Sequence, residues 1–363
     1  MPHSSPREEA QRRKQLWDLL AERDLEALLV TSRPNVRYLS GFTGSSGLLL
    51  LLAGRAVLVT DPRYEIQAHE EADCQVRVVR GPLLLAAAKL IAGAKVRHVA
   101  FERLHTSYDA WTLLHENLPA RVELTPTAGL VEGLRMVKSP EEIARMRRSM
   151  ETASEALDRA MKSVRPGLRE FELAAELDHW MRKLGASQPA FETIMASGTR
   201  SALPHARPTD KRLKNQELLL VDFGAVRNGY VSDVTRMAYL GHPPAKVRRV
   251  YQAVLDAQLA AIAAVREGAT CGSIDQAARR VLRAHGLDKA FVHSTGHGLG
   301  LEIHEPPRLG KGEQTHLRAG MAITIEPGVY LQGFGGIRIE DVVVVTPGGC
   351  EILSPSPKEL KLI

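Results

Sequence analysis

The chain has 363 residues, of which 44% are hydrophobic and 25% are charged, and its formal net charge is +6. This length allows two domains that each bury a core, and the composition is that of an ordinary globular protein. The basic residues lie in mixed helical stretches such as RMRRSM and KVRRVYQ, without interleaved aromatic residues. They indicate solvated helix faces, so we expect no nucleic-acid partner.

The lack of a recognisable targeting signal and the spacing of the cysteines favour a cytoplasmic location. No apolar run reaches the roughly 18–20 residues of a membrane helix, so we expect no membrane contact. The N-terminal stretch lacks the apolar segment of a secretion signal. Cys74, Cys271 and Cys350 are odd in number and widely spaced. This spacing argues against a disulfide framework and fits a reducing compartment.

The first third of the chain alternates short β-rich runs, such as GLLLLL and RAVLVTD, with helical runs. This alternation predicts a small α/β domain. A new helix is predicted to begin with Ser139 as its N-cap, Pro140 at its first position and Glu142 completing a capping box. We therefore predict two domains, residues 1–132 and residues 133–363.

The second domain nearly repeats itself. A long helix, a break at VRPGLRE, a second helix and strands follow Ser139, and the same order follows Pro244 with a break at REGATCGSID. Two such halves of roughly a hundred residues indicate an internal duplication. A pseudo-twofold arrangement would draw ligands for one site from both halves.

Two aspartates are predicted to share one face of a hairpin in the first half. Asn228-Gly229 is a strong signal for a two-residue turn, and it pairs Asp222 with Thr235. Asp233 then becomes a diagonal neighbour of Asp222 on the same face. Two buried carboxylates repel each other unless a cation neutralises them, whereas two edge aspartates in solvent would need none.

The second half supplies further candidate ligands. Glu326 ends one apolar strand and Glu340 is predicted inside another, although glutamate is a poor strand residue. His297 lies in the segment HSTGHGLGLEIHEPP, whose glycines would allow the backbone to approach a site closely. Arg338 could pair with one carboxylate but could not neutralise four.

Charge counting favours two divalent ions, because the four carboxylates carry −4 and one ion would leave −2 buried. Oxygen ligands with one nitrogen suit Mn²⁺, Co²⁺ or Mg²⁺, and Zn²⁺ stays open. Competing motifs are weak: HEPPR lacks the second histidine of a zinc helix, and GFTGSSG lacks the lysine of a phosphate loop.

The sequence resembles the pita-bread metallopeptidases, the family that includes prolidase, aminopeptidase P and creatinase. The matching segments are LPHARPTDK, LVDFGAVRNGYVSDVTR, HSTGHGLGLEIHE, ITIEPGVY and GIRIEDVVVV. The resemblance implies an α/β N-terminal domain followed by an α+β pita-bread catalytic domain with an internal pseudo-twofold duplication.

The resemblance also implies roles for particular residues. The expected ligands of two divalent ions are Asp222, Asp233, His297, Glu326 and Glu340. Asp233 and Glu340 would bridge the ions, and Glu326 would also act as general base. His205 and His304 would bind the scissile carbonyl and stabilise the oxyanion. His293 would line the proline pocket, and Tyr330 and Arg338 would orient carboxylates and substrate.

The implied activity is hydrolysis of the peptide bond that precedes proline, with a homodimer as the implied assembly. We expect an Xaa-Pro dipeptidase, which would need a cation such as Arg338, Arg37 or Arg63 for the free substrate carboxylate. The alternatives are an Xaa-Pro aminopeptidase acting on longer peptides and a pita-bread peptide-binding module without activity. The separate N-terminal domain and the extra histidines in LPHARP and HSTGHG count against methionine aminopeptidase. The retained ligand positions count against metal-free creatinase and a binding module.

Overall fold

The structure is a computed structural model that describes residues 6–52 and 54–363. The chain divides into two compact units, Met1–Arg135 and Met136–Ile363. Within the described residues, no helix combines the length and the apolar character needed to cross a membrane.

The first unit is an α/β fold around a six-stranded sheet. Its helices are α1 (Pro6–Ala21), α2 (Arg33–Ser40), α3 (Glu65–Glu71), α4 (Leu83–Gly93), α5 (Tyr108–Asn117) and α6 (Leu130–Arg135). Its strands are β1 (Ala27–Val30), β2 (Gly47–Leu52), β3 (Arg55–Thr60), β4 (Gln75–Val78), β5 (His98–Glu102) and β6 (Glu123–Thr127). The strand order is β4-β3-β2-β1-β5-β6, with β1, β5 and β6 parallel.

The central strands of this sheet read as unbroken apolar runs because both of their faces are covered. Every residue of β1 is buried, and so are five of the six residues of β2. The alternation of β-rich and helical runs therefore predicted the class of this unit correctly.

The second unit contains four long helices and a larger set of short strands. The helices are α7 (Pro140–Ala160), α8 (Glu170–Lys183), α9 (Ala245–Ala264) and α10 (Cys271–Ala284). The strands of its first half are β7 (Gln188–Pro189), β8 (Ile194–Ser197), β9 (Glu217–Phe223), β10 (Ala225–Arg227), β11 (Tyr230–Val231) and β12 (Val234–Leu240). Those that follow are β13 (Gly296–Gly298), β14 (Glu305–Leu309), β15 (Ala322–Ile325), β16 (Gly328–Leu331), β17 (Gly335–Arg338), β18 (Asp341–Thr346), β19 (Gly349–Ile352) and β20 (Lys361–Leu362).

The start of α7 confirms the predicted capping box. The hydroxyl of Ser139 accepts from the backbone N–H of Glu142, and the Glu142 carboxylate accepts from the backbone N–H of Ser139. Pro140 occupies the first turn, where its missing N–H costs nothing.

The strand β9 separates the two cores of the second unit. Leu219, Val221 and Phe223 belong to the core that packs under α7 and α8. Leu218 and Leu220 belong to the core that packs under α9 and α10. Because side chains alternate along a strand, Asp222 extends the face of Leu218 and Leu220 at the end of β9.

The backbone bonds at the helix starts of the two halves match closely. In the first half, Gly167 N–H donates to Leu213 O and Glu170 N–H donates to Lys211 O. In the second half, Gly268 N–H donates to Leu317 O and Cys271 N–H donates to Thr315 O. Isolated bridges Arg169–Arg212 and Thr270–His316 complete the correspondence. The predicted duplication of helix, helix and strands is thereby confirmed.

One detail differs from the sequence prediction. Glu340 was predicted inside a strand, but it lies in the two-residue break between β17 and β18. There its N–H donates to Thr235 O on β12, because the chain crosses from the β16–β17 hairpin to another sheet at this point.

Candidate metal centre

The aspartate pair of the first half has the predicted geometry. Asn228 and Gly229 have positive φ angles of 52° and 80°, as the tight turn requires. Asp222 is paired with Thr235 across β9 and β12, and Asp233 immediately precedes β12. Both aspartates are buried, with 7% and 5% of their surface exposed.

Side chains from the second half reach the same place. His297 is the central residue of β13, and Glu326 directly follows β15. The His297 Nε2 atom lies 3.6 Å from Asp233 Oδ2 and 3.4 Å from Glu326 Oε1. One donor atom from each of Asp233, His297 and Glu340 fits within a group whose members are at most 4.8 Å apart.

The carboxylates at this place repel one another when no cation is bound. Burial and the charges of the other carboxylates raise the pKa of Asp233 and of Glu340 well above the usual range. Burial raises the pKa of Glu326 to about 8. Burial also lowers the pKa of His297 to about 4, so its imidazole is a neutral donor at neutral pH. A neutral imidazole and crowded acidic oxygens are a donor set that suits a divalent cation.

Arg338 pairs with one of the aspartates. Its Nη2 atom lies 2.5 Å from Asp222 Oδ2, inside the buried site. The other oxygen of this carboxylate, Asp222 Oδ1, is buried and has no hydrogen-bond partner among the described residues. Buried polar atoms are normally satisfied, so this atom needs a partner such as a cation. The residues present therefore fit a divalent metal.

The presence of Arg338 changes the charge count made from the sequence. Four carboxylates and one guanidinium sum to −3, so neither one nor two divalent ions balance the site to zero. Charge balance alone thus does not determine the number of ions, contrary to the sequence argument.

The glycines beside His297 allow neighbouring strands to pack closely. A Cβ atom on Gly296 would lie 1.9 Å from Thr324 O, and one on Gly298 would lie 2.2 Å from Pro306 O. A Cβ atom on Gly300 would meet the side chains of Lys138 and Glu305 at 2.9–3.0 Å. The close approach predicted for these glycines is therefore to other parts of the chain.

A cavity of about 810 Å³ opens over the carboxylates, within the usual size range for small-molecule sites. His205 and His304 both line it. The His304 ring lies 4.6 Å from the His297 ring, centroid to centroid, in an edge-to-face arrangement. Burial lowers the pKa of His304, so this side chain is neutral at neutral pH and has one N–H to donate.

His293 is connected to the carboxylates by a chain of hydrogen bonds. Its Nδ1 atom is 2.8 Å from Ser294 O, and its Nε2 atom is 2.9 Å from the Tyr330 hydroxyl. Arg338 Nη1 donates to that hydroxyl over 2.6 Å. Burial lowers the pKa of His293 to about 4, consistent with Nε2 accepting from the tyrosine. Tyr330 and Arg338 are thus fixed by the chain itself.

Sequence reasoning missed several residues of this region. The Thr235 hydroxyl accepts from Arg338 Nε at 3.0 Å and donates to Glu340 Oε2 at 2.8 Å. The register that predicted Thr235 opposite Asp222 was the available signal. Arg308 lines the cavity and is the cross-strand partner of His297. Only the irregular pairing of β13 with β14 reveals this position.

An ion pair behind the site holds the segment that carries His293. Asp275 is buried in α10, and it accepts from Arg279 Nε at 2.7 Å and from the Thr295 hydroxyl at 2.9 Å. Arg279 also donates to the backbone oxygens of Phe291 and His293. Nothing in the spacing of these residues distinguishes them from a surface helix pair.

Comparison with known proteins identifies two family regions in the chain. Residues 144–347 match Metallopeptidase family M24, and residues 12–137 match the Creatinase/Prolidase N-terminal domain. An Xaa-Pro dipeptidase of Pyrococcus horikoshii is 33% identical over 96% of this chain and 97% of its own length.

Solved structures with the same fold include two enzymes. An Xaa-Pro dipeptidase from Bacillus anthracis is 36% identical, with a TM-score of 0.95 over 98% of this chain and 100% of its own. An X-Pro aminopeptidase from Thermotoga maritima is 35% identical, with a TM-score of 0.89 over 94% of this chain and 99% of its own. With its α/β first unit and its duplicated second unit, the chain belongs to Metallopeptidase family M24, whose pita-bread catalytic fold and metal-dependent peptidase chemistry it shares.

Proposed function

We propose that this chain is an Xaa-Pro dipeptidase, which hydrolyses the peptide bond between any first residue and a C-terminal proline. The observation that carries the proposal is the group of four carboxylates and one neutral imidazole that lines the cavity. We assign this chemistry to residues 133–363 and regard residues 1–132 as the N-terminal domain.

The proposed metal ligands are Asp222, Asp233, His297, Glu326 and Glu340. We propose two divalent ions, because five ligand side chains with several free oxygens offer more donors than one ion of ordinary coordination accepts. Asp233 and Glu340 form one close group with His297 and would be the ligands shared by the two ions. Mn²⁺ is the first candidate, and Co²⁺ or Zn²⁺ are alternatives. When bound, such ions supply Lewis acidity that polarises a carbonyl and acidifies water.

Side chains of the protein then transfer protons and stabilise the charge that develops. Glu326 takes a proton from the attacking water while the water oxygen forms a bond to the scissile carbonyl carbon. Glu326 later delivers that proton to the proline nitrogen as the C–N bond breaks. His205 and His304 donate hydrogen bonds to the carbonyl oxygen as it becomes an oxyanion. Such a donor is worth about 3–4 kcal/mol in the transition state.

A bond before proline needs a dedicated enzyme. Its amide has no N–H, and the ring fixes the local backbone, so proteases that bind substrate as an extended strand handle it poorly. His293 and Ile303 are among the cavity-lining residues that would surround the ring.

The preference for dipeptides requires a cation for the free carboxylate of proline. Arg338 was the first candidate, but four bonds hold its guanidinium, to Thr235, Pro204 O, Tyr330 and Asp222. Arg308 fits the role better. It lines the cavity opposite His297, and among the described residues its guanidinium has no hydrogen-bond or ion-pair partner.

The main alternative is an Xaa-Pro aminopeptidase, which is favoured by the similarity to the Thermotoga maritima enzyme. The deciding experiment compares kcat/KM for matched Xaa-Pro, Xaa-Pro-Yaa and Xaa-Ala peptides, using enzyme reconstituted with Mn²⁺. We expect Xaa-Pro to be the best substrate. Faster hydrolysis of Xaa-Pro-Yaa would make the chain an aminopeptidase, and no hydrolysis of any peptide together with no stoichiometric metal would make it a binding module.

We further propose that the protein works as a cytoplasmic homodimer. Its three cysteines are free in the structure, which supports a reducing compartment. Light scattering coupled to size-exclusion chromatography tests the assembly, and a monomeric mass at micromolar concentration would contradict it.

A further inference from the structure

The loop that carries His205 has an anchor outside the cavity. This loop spans residues 198–208, between Ser197 at the end of β8 and Thr209. His205 lies on the cavity wall but is itself exposed, with no hydrogen-bond partner among the described residues. Its position must therefore be set by the backbone of the loop.

Both ends of the loop are bonded to one carboxylate. Glu170, the first residue of α8, is completely buried. Its Oε1 atom accepts from the N–H and the hydroxyl of Ser197, both at 2.8 Å. Its Oε2 atom accepts from the N–H and the hydroxyl of Thr209, at 3.2 and 2.8 Å. The same side chain thus closes the base of the loop.

A second contact extends from this carboxylate toward His205. Arg200 donates its Nε–H to Glu170 Oε2 over 3.1 Å, and its Nη2 atom donates to Arg207 O over 2.7 Å. On the other side, Arg338 donates to Pro204 O over 3.2 Å. The backbone around His205 is therefore held between Arg338 in the proposed site and the Glu170–Arg200 pair.

The duplicated half of the unit shows that this carboxylate is dispensable for folding such a junction. The equivalent helix α10 begins with Cys271, which has no carboxylate, and the junction forms through bonds such as Gly272 N–H to Glu313 O and Ala319 N–H to the Glu267 carboxylate. The first half has the matching backbone bond, Phe171 N–H to Thr209 O. Glu170 is therefore an additional anchor that belongs to the first half alone.

We propose that Glu170 is a positioning residue that fixes His205 against the scissile carbonyl, an inference that rests on the proposed peptidase function. Glutamine cannot replace it fully. A carboxylate accepts five hydrogen bonds here, whereas an amide turns one NH₂ group toward donors and loses the bonds on that side. The loop then loosens at one end, and small displacements of a catalytic group have large effects on rate.

A double-mutant cycle separates positioning from general stability. Glu170→Gln, His205→Ala and the double variant are compared with wild type as Mn²⁺-loaded enzymes on one Xaa-Pro dipeptide. We expect Glu170→Gln to lower kcat by about tenfold or more with little change in KM and in bound Mn²⁺. In the His205→Ala background the same change should lower kcat less than about twofold, because the two residues act as one unit. An equal fall in both backgrounds, or no fall in wild type, overturns the proposal.

Control variants distinguish a loss of positioning from unfolding and from an error in the proposed peptidase function. Glu142→Gln removes a charge from another buried glutamate in the first turn of a helix, and it should leave kcat unchanged. If Glu170→Gln does not fold, Thr209→Val removes one donor from the same carboxylate and should show the same non-additivity with His205→Ala. Wild type that cleaves no Xaa-Pro peptide refutes the proposed function, whereas active wild type with an additive cycle refutes only the role of Glu170.

Discussion

Gly296→Ala tests whether close strand packing beside His297 supports the metal centre. The new Cβ atom would lie 1.9 Å from Thr324 O and 2.7 Å from Thr324 C, more than 1 Å short of an acceptable contact with rigid backbone. The neighbouring strands β13 and β15 must therefore separate. That movement stretches the bond from His297 N–H to the Thr324 hydroxyl, which is 3.0 Å long.

The cost follows from two terms. Overpacking a closely packed interior costs about 1–3 kcal/mol, and loss of one buried hydrogen bond adds about 1 kcal/mol. We expect a loss of about 2–4 kcal/mol in the free energy of unfolding, or roughly 5–15 °C in Tm for a unit of this size. Mn²⁺ should bind more weakly than to wild type, because His297 moves with the strand.

Chemical denaturation and calorimetric titration with Mn²⁺ measure the two effects. Gly348→Ala is the matched control, since a Cβ atom there meets nothing within 4 Å and its φ angle is ordinary. If Gly296→Ala has the stability and the Mn²⁺ affinity of Gly348→Ala, the packing argument is refuted.

Three substitutions and the removal of metal probe the proposed chemistry. Asp233→Asn should abolish hydrolysis and lower the metal content, because it removes the charge of one ligand. The circular dichroism spectrum should stay native, since no core side chain is lost. Full activity without bound metal would end the metal hypothesis. His304→Ala should keep its metal, measured by elemental analysis, yet lose about a hundredfold in kcat, and an unchanged rate would leave this histidine a structural role. Arg308→Met should raise KM for Xaa-Pro dipeptides much more than for Xaa-Pro-Yaa tripeptides, and an equal change for both would remove it from carboxylate binding. Removal of metal by a chelator should lower the Tm of wild type, since a ligand that binds only the folded state stabilises it; equal Tm values with and without metal would contradict this.

Local features of the sequence predicted much of the fold and part of the site. The capping box at Ser139 and the Asn228-Gly229 turn depend on neighbouring residues only, so their chemistry can be read directly. The turn fixes the register of its hairpin, and with it the pairing of Asp222 with Thr235. The order of helices and strands in both halves likewise follows from hydrophobic periodicity and breaks at glycine and proline.

Tertiary structure decided the features that depend on distant segments. Glu340 lies outside the strands because its N–H bonds to Thr235 O, far away in the chain, and no local pattern encodes that partner. Arg338 is committed to four partners, so a residue that the sequence offered for substrate binding is held by the protein itself. Glu170 looks like any acid in the first turn of a helix until the loop folds over it and turns it into a buried anchor. The sequence by itself thus determined which side chains could bind a metal and which local turns present them. Only packing between distant segments determined which polar groups lose water, and a buried group must take its partners from whatever the fold brings within hydrogen-bond distance.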